Sequence, residues 1–383
     1  MVIGVSSGVA QSKSLKKKVL ISIHRFAVGG AETQALILAE FLQKKGFSVI
    51  VGAFGDEIGE GFLRFKERGI ATIHWDFQEK LILKPEKTLK GWGLKWRSIV
   101  KLTQKVRKLN VDVIIPFTYP PNVVFCTYYQ LMGTKKCFWN QRDMGINFSN
   151  SKFEEQAINR STHIISNGNS GKIFLQEITK RPVSIIPNGI DCGAFTSQPE
   201  FKKDSIIRIV KIGNLNGNKD HLTVLKAWKK VLNSQLGNQK VELVFAGKFL
   251  NTYEAIQEFI DINCLSQSVK LLGEISNIPQ LLKTCNIAVF SSKAEGLPNG
   301  ILEPMAAGLP VIASNIEGAK EALGEDYPFL FDCNSIDELA AYMLKLISDQ
   351  ELRARNGIVN RERVERNFSN AKMGEAYMNL IEN

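Results

Sequence analysis

Short apolar runs alternate along this chain with longer stretches in which apolar residues recur every three or four positions. KVLISIH is followed by AETQALILAEFLQKKG and then by FSVIVGAF, and VDVIIPF, THIISNG and VSIIPNG come later. Short, β-branched apolar runs suit strands buried on both faces, and the helical period suits a helix lying over them. Their alternation predicts βαβ units and a parallel sheet. The pattern pauses at PNGIDCGAFTSQPEFKKDS, where Pro187, Gly189, Gly193 and Pro199 break both periods. It restarts with IIRIVKIG, VELVFAG, VKLLG, IAVFSS and PVIAS, each followed by a helical stretch. The expectation is an α/β chain of two Rossmann-like, doubly wound domains facing a central cleft at the carboxyl ends of their strands. The first covers residues 1–185, with 1–16 flexible, and the linker covers 186–204. The second covers 205–362, and a C-terminal helix over 363–383 returns to the first.

Composition agrees with two domains, because 383 residues exceed what one hydrophobic core usually serves. With 44% hydrophobic and 23% charged residues the chain reads as an ordinary globular protein. No apolar stretch is long enough to span a bilayer. The N-terminal MVIGVSSGVAQSKSLKKK places its basic cluster after its weakly apolar part, the reverse of a secretory signal, so a cytoplasmic location is expected. Cys126, Cys137, Cys192, Cys264, Cys285 and Cys333 are scattered without a CxxC pair and predict buried, reduced thiols. A formal net charge of +11 favours an anionic partner without choosing among nucleic acid, nucleotide and lipid.

Three stretches could carry chemistry. RFAVGGAET sets Gly29 and Gly30 before a helix, which suits close backbone approach to a phosphate or simply a tight strand-to-helix turn. GNLNGNKDHLTVLKAW sets Asn214 and Lys219 between a strand and a helix. Lys219 there is either a solvated surface residue or a point charge reaching a diphosphate, and Asn214 can donate a hydrogen bond to it. His221 opens the helix, a place that lowers its basicity. The third stretch, KAEGLPNGILEPMAAGLPV, reads as loop, turn and short helix. The amides around Gly300 and Ile301 would face the strand end, where the helix dipole favours an anion. Glu295 precedes that helix start, and Glu303 lies on its first turn.

EGLPNGILEPMAAGLPVIAS resembles the retaining glycosyltransferases of family 4, which have the GT-B fold, and the family's Glu-x7-Glu pair falls on Glu295 and Glu303. IIPNGID, GNLNGNKDHLTVLKAW, VKLLGEISNIPQLLKTCNIAVFSS and GGAETQALILAEFL support the resemblance, which is sparse only between Gly55 and Ile165. It implies transfer of a hexose from a nucleotide diphosphate sugar to a hydroxyl acceptor with retention, in cell-surface polysaccharide, lipopolysaccharide or glycolipid assembly. It also implies a metal-independent reaction with no cofactor beyond the donor substrate, and the sequence contains no Asp-x-Asp pair. Carried over by position, Glu295 contacts the sugar and Glu303 the ribose. Lys219 and the amides of Gly300 and Ile301 hold the diphosphate, with Gly296 and Asn299 in the same turn and Gly29 and Gly30 opposite. Leu272 and Gly273 present backbone groups to the base. Two departures stand out: Asn214 replaces a frequent arginine, and FWNQRDMGI replaces a histidine on the acceptor side. Arg142 and Asp143 are either the stand-ins or a buried structural pair, and His24 is better read as packed than as a base.

LKPEKTLKGWGLKWRSIVKLTQKVRKLN is basic almost throughout. On a helix, Trp92, Trp96, Ile99, Leu102 and Val106 form a core-facing stripe blurred by Lys95, with Lys101, Lys105 and Lys108 opposite. This is either a plain surface helix or a patch resting on anionic lipid at the inner face of the cytoplasmic membrane, near a lipid-linked acceptor. Rival readings of the whole chain are a sugar-nucleotide epimerase or phosphorylase on the same architecture, or a basic nucleic-acid binder. No nucleic acid is expected as a partner, because no aromatic-basic motif of that kind is present.

Overall fold

The computed structural model describes residues 17–54, 60–75, 80–83, 88–146, 148–195 and 206–383. The expectations for residues 1–16 and for the linker beyond 195 fall outside these. Strands β1 (Lys18–Ile23), β2 (Ser48–Ala53), β3 (Ala71–His74), β4 (Val113–Pro116), β5 (Lys136–Gln141), β6 (His163–Ser166) and β7 (Val183–Ile185) form one sheet in the order β3-β2-β1-β4-β5-β6-β7. Strands β8 (Ile207–Ile212), β9 (Val241–Ala246), β10 (Val269–Leu271), β11 (Ile287–Phe290), β12 (Val311–Ser314) and β13 (Leu330–Phe331) form a second, in the order β10-β9-β8-β11-β12-β13. Every strand pair in both sheets is parallel. The strand order reverses between β1 and β4 and between β8 and β11, and a doubly wound sheet opens a ligand crevice at that reversal.

The apolar runs of the sequence become the central strands. Val19, Leu20, Ile21 and Ile23 are fully buried, because helices cover both faces of the sheet. The helices begin where side chains can satisfy their first amides. Thr88 caps the helix Leu89–Leu109, and Ser151 and Glu154 form a reciprocal capping box at Lys152–Arg160.

The C-terminal segment joins the two lobes. The helix Gln350–Asn367 packs against Asn299–Ala306 of the second lobe, so residue 363 lies inside a helix and the crossing comes only at Phe368 and Ser369. There the chain pairs with Ile190: the Ile190 amide donates to the Phe368 carbonyl at 2.8 Å. The last helix, Asn370–Glu382, then buries Met373, Tyr377 and Ile381 in the core of the first lobe. Gly374 permits this, because a Cβ there would overlap the Phe41 ring.

The basic helix departs from its expected stripe. Ile99, Leu102 and Val106 are buried, but Trp92 and Trp96 are 47% and 54% exposed. At the N-terminal half of the helix the periodic stripe continues without being buried by the described residues, and Trp92 meets the Lys95 ammonium 5.5 Å from its ring centroid. Lys105 is not on an open face either: its Nζ donates to the Trp75 carbonyl at 3.3 Å. Among the cysteines, Cys126, Cys137 and Cys285 are buried and free, whereas Cys264 and Cys333 are exposed, which corrects the expectation for those two.

Candidate functional site

A cavity of about 930 Å³ lies between the lobes, lined by loops from the carboxyl ends of both sheets. Gly29 and Gly30 follow β1, Arg142 follows β5, and Asn167 follows β6. From the second lobe come Gly213, Asn214 and Lys219 after β8, Glu274–Pro279 after β10, and Glu295, Asn299, Gly300 and Glu303 after β11.

The loops after β8 and β11 are zipped together. Lys293 N–H donates to the Asn218 carbonyl at 2.8 Å, Ala294 N–H donates to Asn218 Oδ1 at 3.2 Å, and Asn218 Nδ2 returns a bond to the Ala294 carbonyl at 2.9 Å. Ser291 Oγ donates to the carbonyls of Lys219 and Asp220, both at 3.0 Å. This lacing sets Lys219 Nζ 2.6 Å from Glu295 Oε1, which also accepts from Asn218 Nδ2 at 3.0 Å. The two residues predicted from separate motifs are thus one ion pair in the cleft wall, a contact the sequence spacing did not reveal.

The helix Asn299–Ala306 starts at Pro298 and aims its N-terminus into the cavity. Ile301 N–H already donates to the Pro298 carbonyl at 3.1 Å, so of the two amides expected to serve a phosphate, Gly300 is the one with no hydrogen bond among the described residues. A Cβ on Gly300 would come within 3.2 Å of the Ile212 carbonyl and 3.6 Å of the Phe290 ring, so a side chain there would crowd the end of β8. Glu303 lines the same wall. It is half-buried, and desolvation by the surrounding protein pushes its pKa up to about 7 despite the opposing pull of Arg64.

Other residues singled out in the sequence hold the lobes together. Asn299 Oδ1 accepts from Asn188 Nδ2 at 2.7 Å, and Asn188 Nδ2 also donates to the Leu297 carbonyl at 2.8 Å. Asn299 Nδ2 reaches the Gly30 carbonyl at 3.4 Å. A Cβ on Gly296 would sit 2.6 Å from Asn167 Oδ1 and 3.1 Å from the Arg142 carbonyl, so this glycine is a docking point between lobes and does not line the cavity. Arg142 lines the cleft and donates from Nη2 to Asn188 Oδ1 at 2.5 Å, with its guanidinium 5.0 Å from the Phe117 ring centroid.

Asp143 forms no pair with Arg142. Its Oδ1 accepts from Gln141 Nε2 at 2.8 Å and from Gly145 N–H at 2.7 Å, stitching a turn outside the cavity. Leu272 and Gly273 lie outside the cavity lining, and each gives one backbone group to the sheet: Leu272 N–H donates to the Phe245 carbonyl and the Gly273 carbonyl accepts from Gly247 N–H. The wall there is made by Glu274–Pro279 instead. Asn214 lines the cavity while its Oδ1 accepts from Lys248 N–H at 3.0 Å. His221 is buried at its helix start, and burial is the main cause that lowers its pKa to about 2, with Lys211 adding to it. His24 lies outside the lining.

The sequence reading missed Arg64, Arg68 and Glu40, which reach the cleft from the helices Glu60–Glu67 and Gly30–Lys44 or just beyond. Nothing local marks them, since they acquire a role only when the lobes face each other. Among the described residues no group of three or more His, Cys, Asp or Glu could hold a metal ion, and no helix is long and apolar enough to cross a membrane.

Residues 28–193 match the family described as Glycosyltransferase Family 4, and residues 195–363 match Glycosyl transferases group 1. The chain is 28% identical over 243 residues to an Escherichia coli UDP-Gal:α-D-GlcNAc-diphosphoundecaprenol α-1,3-galactosyltransferase, covering 58% of this chain and 62% of that one. It is 24% identical over 326 residues to the Staphylococcus aureus capsular polysaccharide biosynthesis glycosyltransferase CapH, covering 79% and 83%. The fold superposes on Anabaena HepE, crystallised with UDP and glucose, with a TM-score of 0.80 at 20% identity over 96% of this chain and all of that one.

Proposed function

Because the chain belongs to the family 4 glycosyltransferases, built on the GT-B fold, we propose that it moves a hexose from a nucleotide diphosphate sugar to a hydroxyl acceptor with retention of configuration, in polysaccharide or glycolipid assembly. The observation that carries this reading is the meeting, in one cleft wall, of the Gly300 helix start, the Lys219–Glu295 pair and Glu303. A diphosphate against Gly300 gains an open amide and the helix dipole, and Lys219 supplies a positive charge where the leaving group becomes more negative. Glu303, on the first turn, accepts from ribose hydroxyls, and Glu295 contacts the sugar. Front-side departure of the diphosphate lets its oxygen take the acceptor proton, so no separate protein base is needed. The charge stabilisation comes from Lys219 and the helix, and the reaction proceeds without a metal.

The test is to incubate the protein with UDP-, GDP- and ADP-sugars and measure nucleotide release, with and without a chelator. Release from one donor class, unaffected by chelator, is the expected result. No release from any donor in the presence of polyprenyl-diphosphate-linked acceptors contradicts the reading.

Glu303 should make donor binding pH-dependent. Its carboxyl is largely protonated below pH 7 in the empty cleft, since burial holds its pKa at about 7. Ribose hydroxyls donate better to the ionised form. Nucleoside diphosphate affinity should therefore rise about tenfold between pH 5.5 and pH 7 beyond the contribution of the phosphate itself, and Glu303→Gln should remove that extra rise. Identical titration profiles for the two proteins would exclude the ribose contact.

The acceptor side suits a lipid surface. The relative from Escherichia coli carries a lipid-linked acceptor in its name. Here Leu89, Trp92, Leu94, Trp96 and Val100 are exposed beside the exposed Lys90, Arg97 and Lys101. Exposed tryptophans among cations favour an anionic membrane interface, placing the protein peripherally on the inner face of the cytoplasmic membrane. Vesicles containing anionic lipid should retain the protein, salt should weaken retention, and Trp92→Ala with Trp96→Ala and Lys101→Glu should abolish it. Equal recovery on neutral and anionic vesicles would rule this surface out.

A further inference from the structure

Lys211 is a cation that the donor-site reading leaves without a task. It lies in β8, one residue before Ile212, which lines the cleft, and its side chain is 0% exposed. Its Nζ has no hydrogen-bond partner among the described residues. The ammonium faces the Phe290 ring at 6.0 Å, and Lys219 Nζ faces the same ring at 5.7 Å. The other side of the story is Gly300, which packs on that ring closely enough that a Cβ would lie 3.6 Å from it. Lys211 and the helix start proposed to hold the diphosphate therefore neighbour the same ring.

The surroundings decide what such a group does. Burial first and the Lys219 charge second push its pKa down to about 7, with Asp220 and Glu295 pulling the other way. His221, beside it, is neutral. Among the described residues no ion pair holds a proton on Lys211, yet a bound diphosphate would bring at least two negative charges close to the Phe290 ring, and nearby anions favour the charged amine. At Asn214, the position next to the strand end, the chain has no charge to offer.

We propose that Lys211 is a buried proton-accepting group of the donor site, which takes a proton from solvent when a nucleoside diphosphate binds and so supplies the second cation that Asn214 lacks. The proposal rests on the donor-site reading above. It makes Lys211 a positioning residue acting through the field at the diphosphate, without touching it.

The test is calorimetric titration with UDP, GDP and ADP at pH 8 in two buffers of different ionisation enthalpy, where Glu303 and the phosphates are already mostly ionised. Wild type should take up close to one proton per nucleotide bound, and its affinity should fall about fivefold between pH 7.5 and pH 8.5. Lys211→Met, which fills the same space without an amine, should bind about tenfold more weakly at pH 7 with neither proton uptake nor that pH slope. Adding Asn214→Arg to Lys211→Met should restore affinity without restoring proton uptake, because a guanidinium stays charged. A lysine needed only for packing would not be rescued from Asn214. Wild-type binding with no proton uptake overturns the role of Lys211 and leaves the donor site standing, whereas no binding of any of the three nucleotides overturns both.

Discussion

Replacing Glu295 by alanine should lower kcat/KM for transfer about 100-fold while leaving the affinity for free nucleoside diphosphate unchanged or tighter. The rate loss corresponds to about 2.7 kcal/mol of contact made to the sugar in the transition state. The affinity effect follows from the pair: Lys219 Nζ is held by Glu295 Oε1 at 2.6 Å in the empty cleft. A diphosphate must share or take that ammonium, so removing the carboxylate removes a competitor. The side chains of both residues are about one-fifth exposed, so the pair is worth less than a fully buried one and the gain in affinity is small. Glu295→Gln separates the contributions, since it keeps an acceptor beside Asn218 and the sugar but cannot stabilise positive charge on the ring. If the alanine variant folds and loses nucleotide binding as strongly as Glu303→Ala does, the two glutamates serve one subsite and the assignment fails.

Lys219→Ala should act on the other half of the donor. Its loss removes a charge-assisted contact to the diphosphate worth roughly 1.5–3 kcal/mol, or about 10- to 150-fold in Kd. It also leaves Glu295, still held by Asn218 at 3.0 Å, facing the incoming anion without its counter-charge. Both changes weaken binding, so this variant should lose more nucleotide affinity than Glu303→Ala. Asn214→Arg should strengthen binding, because it adds a permanent cation beside Gly213 at the strand end. Isothermal titration with the free nucleoside diphosphate measures all three, and wild-type affinity in Lys219→Ala would remove Lys219 from the phosphate site.

The fold was legible because its central strands are apolar on both faces and its helices apolar on one, so period alone separates KVLISIH from AETQALILAEFLQKKG. The second-lobe motifs were legible too, since loop, turn and helix start are contiguous from Lys293 to Val311. What could not be read locally depends on chain segments far apart in sequence. The Lys219–Glu295 pair spans 76 positions and the Asn188–Asn299 bond 111. The place of Leu272 and Gly273 at a strand end is legible, but which of their backbone groups are paired depends on β9 beside them. Trp92 and Trp96 follow a correct helical period, but whether such a stripe is buried depends on what packs against it, and among the described residues both stay exposed. Lys211 sits in an apolar run, where a strand pattern cannot say that the side chain is enclosed beside a ligand cleft.

The most direct test of the account is a crystal structure with the nucleoside diphosphate of the preferred donor bound. The diphosphate should lie against the Gly300 amide, with Lys219 Nζ drawn from its 2.6 Å contact with Glu295 toward a phosphate oxygen and Glu303 on the ribose. A nucleotide bound elsewhere in the cleft, with the Lys219–Glu295 pair undisturbed and Gly300 facing no phosphate, would contradict it.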